Sequence, residues 1–144
     1  MSTYTNATWP DGGKQGGISL AAYTEASPFT ASDTAETAVY LGKGKFRIVT
    51  TWTTCAVDGG DEFYHITLEA NTRNSTSTYY EIATLAVLGD SSVTGRNDDD
   101  ADDGVKEIIV DNPYDYQVRV HTFSNGSTVS SAFTVYAYPL DRKA

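Results

Sequence analysis

The densest chemistry in the chain is the run Asn97, Asp98, Asp99, Asp100, Ala101, Asp102, Asp103, Gly104. Carboxylate oxygens at that density are hard ligands suited to Ca²⁺ or Mg²⁺. Asp98, Asp100 and Asp102 have the spacing of the first three ligands of an EF-hand loop, but Asp103 stands where that loop needs glycine and Ile109 where it needs a bidentate glutamate. The run therefore reads as a solvated, self-repelling loop, with a modest cation site at Asp98, Asp100 and Asp102 as the alternative. His65 and His121 sit in separate alternating runs with no Ser-His-Asp or His-x-x-x-His spacing around them, so ordinary strand histidines are expected. Cys55 is the only cysteine, which excludes an intrachain disulfide and a thiolate metal cluster within one chain; a buried, inert thiol is expected. Pairs of carboxylates for glycoside chemistry can be drawn from 19 acids, but none stands in a context that singles it out. No catalytic residue and no cofactor is assigned, and a non-enzymatic protein is expected. Tyr79, Tyr80, Tyr114, Tyr116, Tyr136 and Tyr138, with Trp52, could build a platform that stacks on sugars; strand packing and subunit contact are the expected use.

The elements that must carry these residues are strands. From Lys45 to Ala70 two period-2 runs flank a turn-forming group. Phe46, Ile48, Thr50 and Trp52 share one face of the first run, and Tyr64, Ile66, Leu68 and Ala70 one face of the second. Asp58, Gly59, Gly60 and Asp61 between them tolerate positive φ, so the pair reads as a hairpin. Tyr116 to Phe123 and Val129 to Tyr138 read as a second hairpin around Ser124, Asn125, Gly126 and Ser127. Ala38 to Leu41, Thr78 to Leu88 and Val105 to Val110 read as further strands, the middle one apolar on both faces beyond Glu81. Asn71 to Ser77 is a polar turn. Gly89 to Gly104 is a loop of about 16 residues, longer than most connections in a compact domain. A weak capping box at Ser32, Asp33 and Glu36 predicts a helical turn over Ser32 to Thr37.

Seven or eight strands and no long helix make an all-β chain, and two antiparallel sheets packed as a sandwich are the economical way to bury their apolar faces. A jelly roll is preferred to an immunoglobulin-like order, which alternation alone does not distinguish. The 144 residues divide into an extended N-terminal arm over residues 1–36 and a sandwich domain over 37–144. The arm is rich in Gly, Ser, Thr and Ala and broken by Pro10 and Pro28. Its Trp9, Ile18, Leu20, Tyr23 and Phe29 would each lose about 1.5–3 kcal/mol in water, so the arm is expected to lie on its own domain or on a neighbour. The net charge of −9 argues against a nucleic-acid partner, whose phosphates would be repelled. No apolar run is long enough for a membrane helix and no signal-peptide pattern opens the chain, so no membrane partner and folding in a cytosol are expected.

Certain segments resemble another group of proteins: Asp58-Gly-Gly-Asp-Glu-x-Tyr64-x-Ile66-x-Leu68, Val105-Lys-Glu-Ile-Ile-Val, Asn112, Tyr116-x-Val118-Arg119-Val120, and Ser130-x-x-Phe133-Thr-Val-Tyr-Ala137. Over residues 37 to 139, this order of strands and turns is similar to the small capsid cement, or decoration, proteins of tailed bacteriophages. The resemblance implies a jelly-roll or related β-sandwich that assembles as a homo-oligomer, dimer or trimer. It further implies attachment to the outer surface of the virion head after synthesis in the host cytoplasm, with the major capsid protein as partner and no catalytic residues. Trp9, Pro10, Ile18, Leu20 and Tyr23 are then candidate arm contacts, and Tyr79, Tyr114 and Tyr138 candidate subunit contacts. Deleting residues 1–30 is expected to leave the domain folded. A carbohydrate-binding β-sandwich of a receptor-binding or adhesion module is the alternative.

Overall fold

The computed structural model describes residues 17–55, 63–89, 104–125 and 129–140. Among these every regular element is a strand: β1 (Ile18–Ala22), β2 (Asp33–Ala35), β3 (Val39–Tyr40), β4 (Gly44–Cys55), β5 (Phe63–Thr72), β6 (Ser75–Gly89), β7 (Gly104–Asn112), β8 (Gln117–Asn125) and β9 (Ser131–Pro139). They form two antiparallel sheets that pack face to face. Sheet A runs β1-β9-β4-β7, and sheet B runs β2-β8-β5-β6 with β3 also paired to β8. Alternation places the core correctly. Phe46, Ile48, Thr50 and Trp52 point inward from β4, as Tyr64, Ile66, Leu68 and Ala70 do from β5. Val118 and Val120 of β8 and Phe133, Val135 and Ala137 of β9 complete the layer between the sheets.

The two expected hairpins are not hairpins. β4 pairs with β7 and β9, whereas β5 pairs with β6 and β8, so the Lys45 to Ala70 segment crosses from one sheet to the other. β8 and β9 are likewise split between sheets. Strands that face each other across a core carry the same inward alternation as strands that are hydrogen bonded side by side. Glycine- and aspartate-rich connections serve both arrangements. The hairpin that does form is β5–β6, where Thr72 pairs with Ser75 across Arg73 and Asn74. In β6 the register shifts leave Ile82 and Leu85 without a direct opposite number on β5. These bulges break strict alternation and bury Leu85 and Ala86 together, which accounts for the two apolar faces of this segment.

Asp33–Ala35 is a strand and not a helical turn; it pairs with Phe123 to His121 of β8, and that pairing outweighs a weak capping signal. Part of the segment read as an arm packs on the sheets. β1 is hydrogen bonded to β9, and Ile18, Leu20 and Phe29 are buried in the core. Phe29 exchanges backbone hydrogen bonds with Ser131 (2.9 and 3.1 Å). It also joins Tyr23, Tyr64 and Phe133 in an aromatic cluster with ring centroids 5.1–6.5 Å apart. Residues 17–36 thus lie on their own domain. Trp9 and Pro10 fall outside the described residues.

Candidate functional site

The register places the connections 41–43, 73–74 and 113–116 together at one end of the sandwich: Gly44 lies opposite Asn112, Thr72 opposite Ser75, and Tyr40 opposite Gln117. Two buried amides lock this end. Asn71 donates from Nδ2 to the Thr76 carbonyl (2.9 Å) and to Gln117 Oε1 (3.1 Å), and its Oδ1 accepts from the Gln117 backbone N–H (2.7 Å). Asn112 donates to the Gly42 carbonyl (2.8 Å) and accepts from the Tyr114 N–H (3.0 Å). Gly42 makes this approach with φ +75°, a conformation that favours glycine. Buried amides with every partner met hold loops rigidly, because losing one partner strands a desolvated group.

Aromatic rings and one arginine are displayed on this frame. The Arg73 guanidinium lies over Tyr116 (4.9 Å) and Tyr40 (5.5 Å), and its backbone N–H donates to Asp115 (3.1 Å). Among the described residues the Arg73 guanidinium has no carboxylate partner. Tyr80 and Tyr114 stack in parallel with centroids 5.3 Å apart. Tyr40 and Tyr80 are each 47% exposed. Tyrosine faces beside an arginine that has no carboxylate partner among the described residues have the composition of an interface hot spot.

A second cluster covers the outer face of sheet B. His121 on β8 meets Glu69 of β5 through Nδ1 (2.8 Å) and Asp33 of β2 through Nε2 (2.5 Å). Arg119 Nε donates to the other Glu69 oxygen (2.8 Å) and lies over the Tyr79 ring (3.7 Å). Burial works against both charged forms, yet the hydrogen bonds and charges of the partners prevail. Glu69 is lowered by His121 and Arg119, and His121 is raised by Glu69 and Asp33.

The predicted contact residues are scattered. Ile18 and Leu20 are buried in the protein's own core. Tyr23 is half-buried, donates a hydrogen bond to Glu36 and lines a groove of about 320 Å³ with Thr51, Thr53 and Phe133. Burial, followed by the Glu36 contact, raises the Tyr23 phenol well above its ordinary range. Tyr79 lies under Arg119, Tyr114 against Tyr80, and Tyr138 under Arg47 at 4.4 Å. Arg47 also pairs with Glu107. Asp98, Asp100 and Asp102 lie outside the described residues. Among the described residues no group of three or more His, Cys, Asp or Glu is arranged to hold a metal ion. Sequence reasoning missed Arg73, Tyr40, Asn71, Asn112 and the His121 cluster. The available signal was a lone arginine in a polar turn, and charged residues of like parity on separate strands. Neither a protein-family model nor a curated protein matches the chain.

Proposed function

We propose that the chain is a capsid cement protein of a tailed bacteriophage, which attaches to the outer surface of the head and bridges major capsid subunits. Support comes from the tyrosine and arginine surface formed by Tyr40, Arg73, Tyr116, Tyr80 and Tyr114, whose composition suits contact with protein. The sandwich itself fits a jelly roll. Each sheet interleaves early and late strands, β1-β9-β4-β7 and β2-β8-β5-β6, which is the order a double Greek key leaves. A cement protein works by adding buried area across joints between shell subunits, and an oligomer, dimer or trimer, makes several weak contacts act as one multivalent tie. Residues 1–16, with Trp9 and Pro10, supply the arm in this scheme, and Tyr79 and Tyr138 contribute subunit contacts.

The stacked Tyr80–Tyr114 pair favours one other use, as a shelf for a sugar face. Purified empty, expanded heads separate the two. A cement protein saturates them and raises their melting temperature, and Arg73→Glu lowers occupancy at least about tenfold, the equivalent of about 1.4 kcal/mol. A sugar binder leaves the heads bare and changes its tyrosine emission when glycans are added.

A further inference from the structure

We propose that His121 is a pH-operated clasp that holds strand β2 on the edge of sheet B, closed when the imidazole carries both ring protons and loosened when it carries one. Both ring nitrogens face carboxylate oxygens, Glu69 at 2.8 Å and Asp33 at 2.5 Å, and a carboxylate can only accept. Satisfying both contacts therefore requires an imidazolium. A neutral ring keeps one N–H and turns a lone pair toward the other carboxylate. Glu69 is the firmer partner, because its side chain is 14% exposed and its second oxygen is held by Arg119, whereas Asp33 is 59% exposed. Loss of the proton therefore falls on the Asp33 side.

Charged groups reach the imidazole from β2 (Asp33), β5 (Glu69) and β8 itself (Arg119, whose charge Glu69 shares), while Tyr79 of β6 covers Arg119. The ring also packs on Phe123 at 4.3 Å. What His121 secures is slight. β2 spans three residues, flanked by Ser124 N–H to the Ser32 carbonyl (2.9 Å), Ser124 Oγ to the Ala31 carbonyl (2.7 Å) and Glu36 N–H to the Val120 carbonyl (2.8 Å). Releasing Asp33 removes the side-chain tie between β2 and the centre of the sheet. The edge of β8 around Thr122 can then be bared for another strand.

The test is NMR on the full chain from about pH 5 to about pH 9, across the range in which histidine titrates. The His121 ring protons are followed together with exchange of the Glu36 and Ser124 amides, taken relative to the Ile66 amide in the middle of sheet B so that base catalysis cancels. Relative protection of Glu36 and Ser124 is expected to fall as His121 loses its proton. In Asp33→Asn, an exposed and nearly isosteric change whose amide can donate to a bare Nε2 as well as accept from its N–H, that fall is expected to be lost. If Glu36 and Ser124 keep pace with Ile66 through the His121 titration, or if Asp33→Asn leaves the profile unmoved, the clasp is refuted.

Discussion

Thr50 and Thr122 carry buried hydroxyls with no hydrogen-bond partner among the described residues. Each gives up hydration and gets nothing back, so Thr50→Val and Thr122→Val are expected to be neutral or to stabilise by up to about 1 kcal/mol in urea titrations. A loss above that size would mean that the hydroxyls are in fact satisfied. Asn71 is the opposite case, since Asn71→Ala strands the Gln117 N–H and should cost about 1–3 kcal/mol by the same measurement. The Glu69–His121 pair sets a pH optimum. His121, raised in the folded state, contributes fully below about 6.5, and that contribution is lost as pH rises through its raised pKa. Glu69, lowered in the folded state, contributes fully above about 4.5, and that contribution is lost as pH falls through its lowered pKa. Melting temperature should therefore peak between those limits, and His121→Gln should flatten the upper flank.

At the level of the strands, Gly104 is where β7 must pass Trp52. A Cβ there would collide with the indole Cζ2, so Gly104→Ala is expected to cost about 1–3 kcal/mol and to shift tryptophan emission. An unchanged unfolding midpoint would show that the indole moves aside freely. β1 is the other sensitive element. Deleting residues 1–30 removes Ile18, Leu20 and Phe29 from the core at about 2–5 kcal/mol each, against a typical total stability of about 5–15 kcal/mol. That truncation is expected to unfold by circular dichroism, while deletion of residues 1–16 keeps the described sheets. The inward faces of β4 and β5 were legible in the sequence because burial on one side of a strand imposes period 2 directly on residue type. Pairing was not, because it depends on which strand lies alongside, and alternation carries no information about that. His121, Glu69 and Asp33 were unreadable for the same reason: three strands distant in sequence bring them together, and one of those strands was read as a helical turn.

For the molecule as a whole, charge is spread unevenly along the sequence. Connections 23–32, 56–62 and 90–103 leave from and return to strand ends grouped by the pairings Phe63–Gly89, Trp52–Gly104 and Asp33–Phe123. They hold ten carboxylates and one arginine, a net −9 that equals the charge of the whole chain. The remainder is neutral overall, and the end with the 41–43, 73–74 and 113–116 connections carries Lys43, Lys45 and Arg73 together with Asp111 and Asp115 among tyrosines. Charge distributed this unevenly orients encounter with a partner before contact. The proposed attachment uses the Arg73 end, where the tyrosines lie. Electron cryo-imaging of expanded phage heads incubated with the chain tests this most directly. Density over joints between major capsid subunits, with the 73–74 and 113–116 turns against the shell and lost in Arg73→Glu, is the predicted result; heads that stay bare at saturating protein would contradict it.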